Sequence, residues 1–332
     1  MTTPWEHLPR LALIPGPTPV HPLPRLGREL GLELWVKRDD LTGLAFGGNK
    51  TRKLEFLLAE AQAQHADTVV TAGAVQSNHC RQTAAAAARL GLQAVLVLAG
   101  EPTEPARGSG NLALDALFGA QVVWTDRAQR DQALRATVEA LRDQGRRPYL
   151  IPYGGSNPLG ASAYARALAE ALAQMPTPPA AIVLASSSGG TQAGLVAGAR
   201  VLGYRGRIVG ISVDEPRPAL AERVAELASQ TLALWGRRER VHPTEVEVHD
   251  VWARPGYGVF TAAEAEAMRL AARREGLLVD PVYTGRGLAG LLGLARERAL
   301  PTTGPVLFWH TGGTPALFAQ PYLRQWLAQM AQ

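Results

Sequence analysis

Apolar runs alternate with amphipathic or alanine-rich stretches along most of this chain. The short runs at Asp67–Gly73, Gln93–Gly100, Gln121–Asp126, Pro148–Tyr153, Ala180–Ala185, Arg207–Asp214 and Pro305–His310 read as strands. Between them, Thr51–Gln64, Ser77–Leu90, Asn111–Phe118, Gln129–Gln144 and Gly160–Met175 read as helices. Further helices are predicted at Thr191–Leu202, Pro218–Trp235, Thr261–Glu275 and Leu288–Leu300. Strands separated by helices require crossover connections, so the expected fold class is α/β, with open, mainly parallel twisted sheets flanked by helices.

Two glycine-rich breaks mark places where the chain would pass between domains. One is Gly43 with Phe46-Gly47-Gly48-Asn49, the other Tyr153-Gly-Gly-Ser-Asn-Pro-Leu-Gly160. Residues 48–160 hold four of the strand candidates and are expected to form a smaller α/β domain, with 1–47 and 161–332 forming a larger one. Ligands of open α/β sheets bind beyond the carboxyl ends of the strands, which puts the expected site in the cleft between the two.

Composition narrows the function classes. Of 332 residues, 46% are hydrophobic and 19% charged, so a disordered chain is excluded. The longest uncharged stretch, Ala171–Ala199, is broken by proline, serine and glycine and does not read as a membrane span. No secretory signal is legible at the start, and a cytoplasmic protein is the expectation. A single cysteine, Cys80, excludes an internal disulfide and a cysteine-built metal site, and the seven histidines lack ligand spacing, so no metal is expected. The net charge of +5 is spread without a basic block, which reads as solvated surface rather than a nucleic-acid face. Only three of the 34 basic residues are lysines: Lys37, Lys50 and Lys53. A desolvated lysine does chemistry that arginine cannot, as base or Schiff-base nucleophile, so this trio draws attention.

Several junctions carry candidate chemistry. At Ala181–Gly194 an apolar run ends in Ser186-Ser187-Ser188, and Gly189-Gly190-Thr191 opens a helix. Glycines and free helix-start amides suit a phosphate, with Ser188 and Thr191 as added donors; a plain tight turn has the same composition. The stretch lacks the lysine of a nucleoside-triphosphate loop and does not match the dinucleotide pattern. Ser77 and Asn78 begin another helix, where they would hold a carboxylate or serve as an ordinary cap. Lys50 follows two glycines and an asparagine at a chain crossing, whereas Lys53, inside the helix, is expected to face solvent. Lys37, followed by Arg38, Asp39 and Asp40, reads as an ion-paired strand end. Tyr257 and Tyr283 lie in glycine- or proline-marked loops, where packing is the usual role. Thr311 ends the last predicted strand, either in a plain turn or at the same carboxyl edge as the serine–glycine cup.

Together these blocks resemble the fold-type II pyridoxal-phosphate enzymes, whose fold is like that of the tryptophan synthase β-subunit, and specifically the group of D-cysteine desulfhydrases and 1-aminocyclopropane-1-carboxylate deaminases. The resemblance runs through Thr18-Pro19, Lys37–Asp40, Gly47–Glu55, Gln76–His79, Gly154–Gly160, Gly190–Gly194, Asp280–Tyr283 and His310–Gly313. It implies pyridoxal 5'-phosphate as cofactor, with Lys50 as the lysine that carries it. Asn78 is implied at the phenolic oxygen, Ser188, Gly189, Gly190 and Thr191 around the phosphate, and Thr284 and Thr311 on the ring side. Ser77, Asn78, His79, Tyr257 and Tyr283 would contact the substrate, with Lys50, Ser77, Tyr257 and Tyr283 in the chemistry and either Lys50 or Ser77 as the base. The deaminase branch has Glu after the second tyrosine and Leu before the last glycine pair; Thr284 and Thr311 stand there in this chain. A carboxylate would strengthen the cofactor's electron withdrawal more than a hydroxyl, so the pattern implies β-elimination of D-cysteine to sulfide, pyruvate and ammonia. Ring-opening deamination, cysteate sulfo-lyase activity and, from another class, a non-catalytic small-molecule-binding protein are the alternatives. A small amino acid is the implied partner, with no nucleic acid or membrane, and a homodimer the implied assembly.

Overall fold

A computed structural model of the chain describes residues 3–101, 106, 108–320 and 322–330. The apolar runs pair into two separate sheets. Four strands, β3 (Thr68–Ala74), β4 (Gln93–Ala99), β5 (Gln121–Thr125) and β6 (Pro148–Leu150), form one in the order β5-β4-β3-β6, every pair parallel. The other has the order β1-β2-β10-β7-β8-β9, built from β1 (Val20–Pro22), β2 (Leu34–Arg38), β7 (Ala181–Ser186), β8 (Arg207–Ser212), β9 (Glu247–His249) and β10 (Val306–His310). Only the β1–β2 pair, at its edge, is antiparallel.

All seven predicted strands are present, mostly within a few residues of the expected bounds. The strand from Pro148 stops at Leu150 rather than Tyr153 because Pro152 has no amide to donate and Gly154 turns the chain at positive φ. Sequence reading did not predict β1 or β9, three residues each and too short for periodicity to register, and of β2 it read only a strand end at Lys37. Helices α1 (Pro24–Leu30) and α11 (Tyr322–Met330) were likewise not expected. The others match: α2 (Asn49–Ala63), α3 (Asn78–Leu90), α4 (Gly110–Leu117), α5 (Arg130–Asp143), α6 (Pro158–Gln174), α7 (Gly190–Leu202), α8 (Arg217–Leu234) and α9 (Ala262–Glu275). The helix expected from Leu288 instead starts at Thr284, as α10 (Thr284–Arg296). Its glycines blur the pattern, but the Asp280 carboxylate accepts from the amides of Val282, Tyr283 and Thr284 and so initiates the helix earlier.

Helices cover both faces of each sheet. Leu54, Leu57, Leu58, Ala84 and Ala87 pack α2 and α3 onto one face of the smaller sheet, and Leu134 and Val138 bring α5 to the other. On the larger sheet, Leu288, Leu291, Leu292 and Met268 pack α10 and α9 against Val36, Val209 and Phe308, while Leu168, Leu195 and Trp309 fill the opposite side. Helices α6 and α7 touch backbone to backbone, since a Cβ on Gly194 would lie 2.0 Å from the carbonyl oxygen of Ala161.

A buried ionic network stitches the chain crossing together. Asp39 accepts from Thr18 Oγ1 (2.9 Å), Arg52 Nε (3.0 Å) and Nη2 (2.8 Å), Tyr164 OH (2.7 Å) and Trp309 Nε1 (2.8 Å). Glu170 of α6 takes Arg52 and Lys37, so Lys37 is ion-paired as expected, but across the sheet rather than to its neighbours in sequence. Burial pushes the Asp39 and Glu170 carboxyls up, but Arg52 and Lys37 outweigh it and hold both below the ordinary carboxylate range.

Candidate functional site

The carboxyl ends of both sheets open onto one cleft. It is lined by Asn49, Lys50, Ser77, Asn78, His79, Tyr153, Gly154, Ala185 to Gly189, Thr191, Tyr283, Thr311 and Gly312. The Lys50 side chain is half-buried and enters from the first turn of α2, with Nζ donating to Asn49 Oδ1 at 3.1 Å. Burial lowers the pKa of its amine, the nearby Arg81 guanidinium lowers it further, and Asp280 opposes both; the result is about 8. Such an amine has a usable neutral fraction at working pH, which a solvated lysine lacks.

Lys53 corrects an expectation. It does not face solvent: it is 1% exposed, because α2 packs against the Gly154–Gly155 turn and α6 as well as the smaller sheet. Its Nζ donates to Gly154 O (3.1 Å) and Ser156 Oγ (3.3 Å), and burial, with Lys50 adding a like charge, drives its pKa well down.

The serine–glycine junction forms a cradle on the far wall. Gly189 is left-handed at φ +82°, and a Cβ on Gly190 would lie 2.4 Å from Ser156 Oγ and 2.9 Å from Lys53 Nζ. Ser156 and Ser188 share a hydrogen bond of 2.8 Å, and Asn49 Nδ2 donates to Thr191 Oγ1 at 3.0 Å, tying α2 to the start of α7. The Ser186 hydroxyl is buried with no partner among the described residues. First-turn amides of α7, two hydroxyls and a buried amine behind them make a donor set that fits a phosphoryl group. With Lys50 within the same cleft, the residues present fit pyridoxal phosphate.

On α3, Ser77 caps the helix by accepting from the Cys80 amide at 3.2 Å, so the ordinary capping role and a place in the cleft coexist. Asn78 Oδ1 accepts from Asn111 at 3.0 Å, and His79 Nε2 pairs with Thr71 Oγ1 at 2.8 Å while Nδ1 is unpartnered among the described residues. Burial first, then Lys50 and Lys53, holds His79 well below its usual range, so it stays neutral. Opposite, Tyr257 and Tyr283 meet hydroxyl to hydroxyl at 2.8 Å, and burial raises both phenols well above the usual value.

The cleft therefore gathers Lys50, Ser77, Asn78, His79, Ser188, Gly189, Thr191, Tyr283 and Thr311. Gly190 lies beside it, and Tyr257 joins through Tyr283. Thr284 is fully buried, its hydroxyl donating to Asp280 Oδ1 at 2.6 Å, and it does not line the open space. Sequence reasoning missed Asn49, Tyr153, Ser186 and Ser187 as lining residues and Asp280 as the anchor of the tyrosine turn. Asn49 and Tyr153 sit inside glycine motifs already singled out, which was the available signal. Among the described residues no carboxylate lines the cleft, and no group of three His, Cys, Asp or Glu is placed to hold a metal ion.

A family profile described as pyridoxal-phosphate dependent enzyme matches residues 11–312. D-cysteine desulfhydrase of Salmonella schwarzengrund (strain CVM19633) is 43% identical over 325 residues, covering 95% of this chain and 98% of that protein; the desulfhydrase of Salmonella typhi matches equally. Among solved structures, an ACC deaminase homologue superposes with a TM-score of 0.91 at 39% identity, covering 98% of this chain and 97% of the other. A fungal L-serine ammonia-lyase from Rhizomucor miehei shares the fold, with a TM-score of 0.69 at 18% identity over 95% of this chain and 98% of its own.

Proposed function

The chain belongs to the pyridoxal-phosphate dependent enzymes, and we propose that it eliminates sulfide from D-cysteine, giving pyruvate and ammonia. The observation that carries the reading is a single cleft with the Lys50 amine on one wall, the serine–glycine cradle on another and the paired Tyr257–Tyr283 hydroxyls opposite. Pyridoxal phosphate, when bound, supplies the electron sink for negative charge at the substrate's α-carbon.

The residues divide the remaining work. Lys50 would be the residue that holds the cofactor, and its amine would accept the α-proton; its lowered pKa suits a base near neutral pH. Ser188, Gly189, Gly190 and Thr191 would hold the phosphate, and Asn78 and Thr311 the ring. Ser77, with the first amides of α3, takes the substrate carboxylate, and His79 stays neutral beside it. Tyr283 keeps its proton because burial disfavours the phenolate, so it would meet the departing sulfur as a hydrogen-bond donor, with Tyr257 holding its hydroxyl in place. The α-proton passes to Lys50, the C–S bond then breaks with its electron pair leaving on sulfur as hydrosulfide, and water converts the released 2-aminoacrylate to pyruvate and ammonia.

Elimination is favoured over ring opening by the absence of a lining carboxylate among the described residues. Thr284, with its hydroxyl turned to Asp280, gives the ring side of the site no ionised partner. Thiolate is a good leaving group and needs less withdrawal than a cyclopropane carbon–carbon bond. We further read the division at 47/48 and 160/161 as two domains flanking the cleft, and the assembly as a cytoplasmic homodimer. The exposed side chains of Leu41, Phe46, Leu117 and Phe318 offer apolar surface to a second copy.

The test is the visible spectrum of protein saturated with pyridoxal phosphate, followed during addition of D-cysteine, L-cysteine and 1-aminocyclopropane-1-carboxylate in turn. Spectral change with D-cysteine, with sulfide and pyruvate in equal amounts, is the expected result. Release of 2-oxobutyrate from the cyclopropane would shift the reading to ring opening, and no response to any of the three would refute it.

A further inference from the structure

Arg81 lies in the first turns of α3, is completely buried, and sends its guanidinium out of its own helix. Nη1 donates to the carbonyl of Ala45 and Nη2 to that of Gly47 at 3.0 Å. Those two carbonyls belong to an unusual stretch: Ala45, Phe46, Gly47 and Gly48 have φ of +48°, +66°, +63° and +126°, so all four are left-handed. Ala45 and Phe46 are strained there, since a Cβ crowds the carbonyl in that region. The glycines are obligatory for space as well: a Cβ on Gly47 would lie 2.1 Å from Asp40 O, and one on Gly48 2.6 Å from Gln82 Nε2.

This strained stretch is pinned on its far side by Gly48 N to Asp39 O and Asn49 N to Thr311 O, both 2.9 Å, and Lys50 follows immediately. We propose that Arg81 is a positioning residue for Lys50: its two-carbonyl fork holds the left-handed segment against α3, so the Lys50 amine enters the cleft in one place and beside a buried positive charge. The proposal rests on the reading of Lys50 as the reacting amine. No shorter or neutral side chain supplies both halves of the role. Lysine keeps the charge but is a point donor that does not span two carbonyls, and methionine supplies neither charge nor donors.

The electrostatic half has a defined setting. The charged and titratable groups facing Lys50 are Arg81 and His79 from α3, Lys53 from α2 and Asp280 from the α10 cap, with Asp115 of α4 beyond Arg81. Of these, Arg81 lowers the Lys50 pKa and Asp280 raises it. Asp115 is itself buried, its oxygens have no hydrogen-bond partner among the described residues, and burial pushes its carboxyl up to about 8 against the pull of Arg81.

The chain's three lysines make the test clean. Cofactor-free wild type, Arg81→Lys and Arg81→Met are labelled competitively with acetic anhydride over about pH 6 to 11, and the Lys50 modification is read by tandem mass spectrometry. The wild-type midpoint is expected near about 8. Arg81→Met should raise it by about one unit, and Arg81→Lys should leave it within about 0.3 unit. Pyridoxal phosphate affinity, measured by absorbance titration, should fall about tenfold or more in both variants, because the amine is no longer held in register. A folded Arg81→Met protein with an unshifted midpoint would overturn the proposal. If that variant does not fold, Arg81→Lys decides alone, with undiminished affinity refuting the role and tenfold loss supporting it. A Lys50→Ala protein that still formed a lysine-linked chromophore would instead sink the reading of Lys50, whatever the Arg81 arms report.

Discussion

Asp39→Asn removes one charge from a buried set that is neutral as built: Asp39 and Glu170 against Arg52 and Lys37. The variant keeps the shape of the side chain but leaves two buried cations facing one carboxylate. An amide also cannot accept from all five donors that converge on the carboxylate oxygens, so one of its own hydrogens would meet Tyr164, Trp309 or Arg52. Breaking a fully buried pair in this way costs about 3–5 kcal/mol, against about 0–1 for an exposed one, and Asp39 is completely buried. For a chain of this size that corresponds to a fall in melting temperature of roughly 4–7 °C. The acid dependence should change as well. Asp39 and Glu170 have depressed folded-state pKa values, so their stabilisation is present above the unfolded value of about 4 and is lost as pH falls through the folded values. Between about pH 6 and 3 the variant should therefore lose less stability than wild type. Circular-dichroism melts and urea titrations at several pH values measure both effects. A cost below about 1 kcal/mol, with the wild-type acid slope retained, would refute the view that this network carries stability at the chain crossing.

Three further outcomes follow from the site. Lys53→Met should keep the lysine-linked chromophore on Lys50 but weaken pyridoxal phosphate about tenfold or more, because the buried amine donor behind the cradle is lost; absorbance titration checks it. Gly194→Ala should destabilise by about 3 kcal/mol or leave insoluble protein, since the new methyl would overlap the Ala161 carbonyl at 2.0 Å; a melt beside Gly203→Ala, which meets nothing within 4 Å but sits at φ +67°, separates overlap from backbone strain. Capture of added pyridoxal phosphate by the cofactor-free protein requires the neutral Lys50 amine. Its stopped-flow rate should rise with pH to a plateau with a midpoint near about 8, and a flat profile from about pH 6 to 9 would contradict the lowered pKa.

Much of the fold was legible because its strands are short, apolar and separated by helices, a pattern local to each segment. The glycine motifs and the scarcity of lysine singled out Lys50, and strand ends running into serine and glycine located the cradle at Ser188–Thr191. These are properties of composition and spacing, and the chain states them before it folds. The orientation of a side chain on a helix packed from several sides is not such a property. Lys53 has the sequence context of a surface residue and lies buried behind the cradle because α6 and the Gly154–Gly155 turn close over α2. The same holds for partners distant in sequence: Lys37 finds Glu170, Arg81 finds Ala45 and Gly47, and Tyr257 finds Tyr283. Periodicity reports which residues leave water; which buried polar groups then meet depends on how the elements stack, because a donor taken out of water must find its acceptor wherever packing has placed one.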